Sequence, residues 1–129
     1  MLFDRLLSGE CEETKGMNRA PGGRFPKRGE VYRVQLDKDR PALVISSDVL
    51  NRHALDVCIV PITSVEHRRF ALRVPLPPGE GGLHRGSWVK CDQVTTIEQT
   101  DLRYPPLGRL SLASLAKIEA AIKLALELK

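Results

Sequence analysis

Arg40-Pro41-Ala42-Leu43-Val44-Ile45-Ser46-Ser47-Asp48, followed by Val57-Cys58-Ile59-Val60-Pro61-Ile62-Thr63-Ser64, decides how this chain folds. Both stretches are short apolar runs rich in β-branched residues and bounded by polar ones, which is the pattern of a buried strand. Each also carries a polar group at one end. Arg40 opens the first strand, where Pro41 biases it toward an extended backbone. Thr63 closes the second. Pro61 has no N–H to give to a ladder, so pairing is expected to weaken there and to leave Thr63 and Ser64 at a free, accessible strand end.

Outward from this pair the pattern stays β until the last quarter of the chain. Val31–Leu36 alternates in the manner of a half-buried strand, and Asp37-Lys38-Asp39 is a turn. Asp48–Ala54 is a polar connection with a helical turn. Phe70–Leu76 is a further strand, Pro77–Gly82 a loop, and Ser87–Ile97 one or two strands more. Leu107–Leu110 connects to the last element. There Ser111 is an N-cap, and Leu112, Leu115, Ile118, Ile122 and Leu126 recur at helical spacing. The expected fold is mainly β with a C-terminal helix: a small SH3-like barrel with the helix packed on it. Residues 30–129 form its single domain.

Residues 1–29 read differently. Apolar residues are few after Leu7, and Arg19 to Gly29 mixes Gly, Pro, Arg and Lys. A flexible arm or an extension is expected, with Met17 as an alternative start and the basic half as an alternative phosphate-tracking segment. The net charge of +4 suits a polyanionic partner without proving one. Cys11, Cys58 and Cys91 form no Cys-x-x-Cys pair and have no histidine at zinc-ligand spacing, so they read as small buried hydrophobes of a reducing cytosol. No cofactor and no metal is expected. No apolar run approaches the roughly 20 residues of a membrane span, and no signal-peptide pattern is present, so a cytoplasmic location is expected.

The ordered set of motifs resembles the MazF/PemK family, the endoribonuclease toxins of bacterial toxin–antitoxin pairs. The resemblance runs from Arg28-Gly29-Glu30-Val31-Tyr32-Arg33-Val34 through the two opening stretches. It continues through Ser87-Trp88-Val89-Lys90-Cys91-Asp92-Gln93 to Leu107-Gly108-Arg109-Leu110-Ser111 and the helix. It implies a metal-independent, sequence-specific endoribonuclease for single-stranded RNA, a homodimer, and a cognate antitoxin with an acidic, partly disordered tail. There is one departure. The family's long Gly-rich loop between the first two strands, which closes over bound RNA, is cut here to Asp37-Lys38-Asp39.

RNA cleavage by its own 2′-hydroxyl requires that a proton leave the 2′-oxygen, that the phosphorane be stabilised, and that the 5′-oxygen be protonated. Arg40, planar and always charged, matches the phosphorane. A guanidinium is a poor base, so Arg40 is assigned as clamp and proton donor. Thr63 completes the catalytic pair, and Ser64 can add a hydrogen bond to phosphate. Asp92 and Gln93 read as RNA-contacting residues or as hydrogen-bonding groups of the barrel mouth. Ser46 and Asn51 read first as structural caps and second as RNA-binding positions. His53, His67 and His84 offer a rival acid–base pair but lie in or beside polar loops. Two other functions stay open: an inactive RNA-binding barrel, given the short loop, and a gyrase inhibitor like CcdB. The latter depends on a C-terminal Trp-Gly-Ile, whereas this chain ends Leu126-Glu127-Leu128-Lys129.

Overall fold

The computed structural model describes residues 24–65 and 72–129. Seven strands lie among them: β1 (Glu30–Gln35), β2 (Asp39–Val44), β3 (Asp56–Thr63), β4 (Arg73–Leu76), β5 (Ser87–Lys90), β6 (Thr95–Glu98) and β7 (Leu102–Arg109). A short helix α1 (Asp48–His53) joins β2 to β3, and α2 (Leu112–Leu126) ends the fold. This is the expected mainly β architecture with a C-terminal helix. All pairings are antiparallel, in the order β4-β5-β3-β2-β1-β7, so the barrel-like sheet is not closed.

β3 organises the sheet. One edge pairs with β2, with Ala42 opposite Pro61 and Val44 opposite Ile59. Its other edge is shared: Asp56–Ile59 pair with β6, and Ile62 and Thr63 with β5. Period-two alternation along these strands feeds two cores. Val31, Leu43, Val60, Ile62, Val74 and Val89 point to the side covered by Leu115, Ile118 and Ala121 of α2. Tyr32, Val34, Ala42, Val44, Val57 and Ile59 point the other way and pack with Leu102 of β7. Ser111 caps α2 by accepting from the Ser114 N–H, and Ser47 caps α1 by accepting from the Leu50 N–H.

Two glycines let β7 sit close. A Cβ on Gly82 would lie 1.9 Å from the Leu107 carbonyl oxygen, and one on Gly108 would lie 2.6 Å from the Gly81 carbonyl carbon. The Gly79–Gly82 run therefore serves backbone packing.

Several expectations change. The β2 ladder ends at Pro61, which is buried opposite Ala42, but β5 takes up Ile62 and Thr63 on the other edge, so Thr63 is not a free strand end. Ser46 and Ser47 lie beyond β2, since the Ile45 and Ser46 N–H groups both turn to the Cys58 carbonyl. Leu107–Arg109 belongs to a strand, not a connection. Pro105 and Pro106 hid it in the sequence, and an end strand of the sheet tolerates them. Phe70 and Ala71 lie outside the described residues, as does the expected arm up to residue 23. Its last part is anchored: Gly29 donates to Val44, while Arg28 donates to Asp48 and Ile45 and pairs with Glu119 on α2. No described helix is long and apolar enough to cross a membrane.

Candidate active site

Strand alternation assembles the site. Because Leu43, Ile62, Val74 and Val89 face α2, their neighbours Arg40 on β2, Pro61 and Thr63 on β3, Arg73 on β4, and Trp88 and Lys90 on β5 occupy the opposite face. The register narrows this further. Arg40 lies two residues before Ala42 on β2 and Thr63 two residues after Pro61 on β3, so both lie toward the same end of the β2–β3 ladder, beyond its last pair, Ala42–Pro61. Thr63 pairs with Trp88 on its other side, and Lys90 pairs with Arg73. Three cations, one hydroxyl and one indole thus share one patch of sheet.

The cations are held by carboxylates. Arg40 donates through Nε and Nη2 to the two oxygens of Asp37, at 3.0 and 3.3 Å. This guanidinium holds the Asp37 carboxyl below the usual carboxylate range, and Asp37 in turn raises the Arg40 value. Arg73 pairs with Asp92. Lys90 is pushed below the ordinary lysine value, first by burial and then by the positive charges of Arg40 and Arg73. Its proton is therefore more easily released than that of a surface lysine.

Thr63 is 4% exposed rather than free at a strand end, because β5 pairs with it. Its Oγ1 accepts from the Val65 N–H at 3.1 Å, which fixes the hydroxyl while leaving an O–H to donate. Ser64, the next residue, is exposed. Asp92 and Gln93 occupy the turn where the chain passes from β5 to β6. Gln93 donates its N–H to the Lys90 carbonyl at 3.1 Å and leaves its side chain at the surface.

Ser46 and Asn51 are both buried and bonded to each other. Asn51 Nδ2 donates to the Ser46 carbonyl at 3.0 Å, and Ser46 Oγ accepts from the Cys58 N–H at 3.1 Å. These bonds secure α1 to β3 and leave both side chains little exposed. His53 ends α1 and His84 precedes β5, so neither lies on the strands carrying Arg40, Thr63, Arg73 and Lys90. His67 is outside the described residues. Among the described residues no cluster of three or more His, Cys, Asp or Glu could hold a metal ion.

Sequence reading missed Arg73, Lys90, Trp88 and Asp37. Alternation marks which residues of one strand share a face but not which strands lie side by side, and the β3–β5–β4 pairing is what delivers the first three.

Comparison with known proteins agrees with this geometry. A family model described as PemK-like, MazF-like toxin of type II toxin–antitoxin system matches residues 27–126. The chain is 32% identical to Endoribonuclease MazF9 of Mycobacterium tuberculosis, over 79% of this chain and 97% of that protein. Among solved structures it resembles the Mycobacterium tuberculosis toxin MazF-mt6, with 33% identity, 78% and 98% of the two chains covered, and a TM-score of 0.70. It also resembles a mycobacterial endoribonuclease solved in complex with its cognate antitoxin, with 32% identity, 81% and 97% coverage, and a TM-score of 0.71. The family model spans every strand of the sheet and nearly all of α2, and the curated relative is matched over almost its whole length: the chain belongs to the PemK-like, MazF-like toxins of type II toxin–antitoxin systems.

Proposed function

We propose that this toxin is an endoribonuclease that cuts single-stranded RNA at a short sequence without a metal, using Arg40 and Thr63. The observation that carries the reading is the shared face: Arg40 of β2 and Thr63 of β3 lie on one side of the sheet, with Trp88 paired to Thr63 and Lys90 paired to Arg73 alongside. In the proposed reaction the 2′-oxygen loses its proton and attacks the adjacent phosphorus. The bond to the 5′-oxygen breaks and that oxygen is protonated, leaving a 2′,3′-cyclic phosphate and a 5′-hydroxyl. Arg40 stabilises the charge that grows on the phosphorane, where fixed charges act most strongly. Thr63 donates to a phosphate oxygen from a fixed position. Lys90 adds a second positive charge, and the half-buried Trp88 gives a base a ring to stack on. Ser64, Asp92 and Gln93 line the approach.

The proposed setting is the cytoplasm, as a homodimer restrained by an antitoxin whose acidic tail covers the cationic patch. Charge complementarity with the protein's net +4 supports that partner. The test is cleavage of a long end-labelled RNA in excess chelator by wild type, Arg40→Ala and Thr63→Ala. Chelator-resistant cuts at one motif, lost in both variants, are expected. Intact RNA with retained binding would instead favour a binding barrel.

A further inference from the structure

The Arg40–Asp37 pair differs from the Arg73–Asp92 pair in one respect that matters for an incoming phosphate. In the second, both side chains are shielded, at 13% and 31% exposure. In the first, Arg40 is 19% exposed and Asp37 is 72% exposed. The carboxylate is thus the outer partner. A phosphate approaching Arg40 from solvent meets Asp37 first.

The chemistry of the contact points the same way. A carboxylate and a phosphodiester each carry one negative charge on two oxygens, and both match the guanidinium edge bidentately. Asp37 occupies the Nε–Nη2 edge of Arg40 with both its oxygens. It also balances charge in the free protein, since Arg40, Arg73 and Lys90 stand together and Arg40 and Arg73 each disfavour the charge on Lys90. Solvent screens an exposed pair of this kind, so it adds little and a phosphate can displace it. Asp39, in the same turn, faces elsewhere and pairs with Arg33 and Arg103.

We propose that Asp37 is a tethered stand-in for the substrate phosphate, holding Arg40 in the free toxin and giving it up to RNA. It thereby sets the affinity for RNA. The inference rests on the ribonuclease reading and adds a residue to it. It also gives the short Asp37-Lys38-Asp39 turn a role of its own: the turn supplies a competitor for Arg40.

The test measures binding to an RNA carrying 2′-O-methyl groups, which needs no cleavage, for wild type, Asp37→Asn, Asp39→Asn, Arg40→Ala and the Asp37→Asn/Arg40→Ala double variant. Cleavage by wild type on unmodified RNA runs in parallel. Asp37→Asn is expected to bind about two- to fivefold tighter. The slope of log K against log salt should stay the same, because Arg40 meets the phosphate in both proteins. The gain should vanish without Arg40, and Asp39→Asn should not reproduce it. Equal tightening in Asp39→Asn would reduce the effect to general surface charge and overturn the proposal. Weaker binding in Asp37→Asn would make Asp37 a support for Arg40, and also overturns it. If wild type cleaves and Asp37→Asn binds unchanged, this inference alone fails. If neither protein binds RNA, the ribonuclease reading fails with it.

Discussion

Lys90 stands directly across the β4–β5 ladder from Arg73, so two cations are neighbours in register. Like charges so placed are unfavourable unless something else uses them. The depressed Lys90 value has a defined sign in stability. The unfolded chain holds that proton more tightly, so the penalty is full below the folded value and is relieved as pH climbs toward the ordinary lysine value. Lys90→Met is therefore expected to raise the thermal midpoint at pH 7, and to flatten the rise of stability with pH on the alkaline side. RNA cleavage should fall about 10²-fold. A drop in both stability and cleavage would show Lys90 to be a structural residue.

Thr63 should divide its two duties on substitution. Thr63→Ser keeps the oxygen that accepts from Val65 and the O–H left free to donate. Thr63→Val keeps the shape and loses both. Cleavage is expected to survive in the serine variant and to fall about 10²- to 10³-fold in the valine variant. Single-turnover rates on end-labelled RNA make the comparison, with circular dichroism verifying the fold.

The contact of α2 with the sheet rests on Ile118, fully buried between Leu115 and Ala121. Ile118→Ala should remove about 2–5 kcal/mol of stability, measured by urea unfolding. Leu124→Ala on the exposed side of the same helix should change the midpoint little.

Gln99 is a buried amide whose Nε2 lies within hydrogen-bond reach of the Asn51, Ala54 and Asp56 carbonyls, at 2.7, 3.0 and 3.2 Å. Gln99→Leu removes the donor and leaves those carbonyls buried, at a cost of about 1–3 kcal/mol. Amide exchange should quicken first in α1 and the start of β3. Uniform quickening across the whole sheet would count against this local account.

Cys91 is a buried thiol pushed up to about 11 by loss of hydration. At pH 8 it should resist alkylation in the folded protein while the half-buried Cys58 reacts. Peptide mapping by mass spectrometry after brief iodoacetamide treatment separates the two.

The sequence marked Arg40 and Thr63 as candidates because each stands at one end of an apolar run, where one dimension suffices, and because those runs resemble the family's motifs. The terminal helix was legible for the same reason: Ser111 and the spacing of Leu115, Ile118 and Ile122 are local signals. Lys90 and Arg73 were not, since nothing local tells which strands will lie together. β7 was hidden by Pro105 and Pro106, whose strand character depends on lying at the end of the sheet. Pro61 marked the end of the β2 ladder and misled only about Thr63, which β5 takes up. A missing N–H matters only on the edge that needs it, and β3 changes partner at that residue. Ser46 and Asn51 read first as structural caps, and their mutual hydrogen bonds let both be buried.

β3 exchanges backbone hydrogen bonds with β2, β5 and β6, and it carries Thr63 at its last position. Its amides should be among the slowest to exchange with solvent, opening only when the whole molecule opens. The Thr63 hydroxyl of the proposed site thus shares the fate of the most protected strand. Such a protein cannot be silenced by local melting that spares the rest. An agent that stops it without destroying it has to act from outside, by lying over the patch that β2, β3 and β5 present.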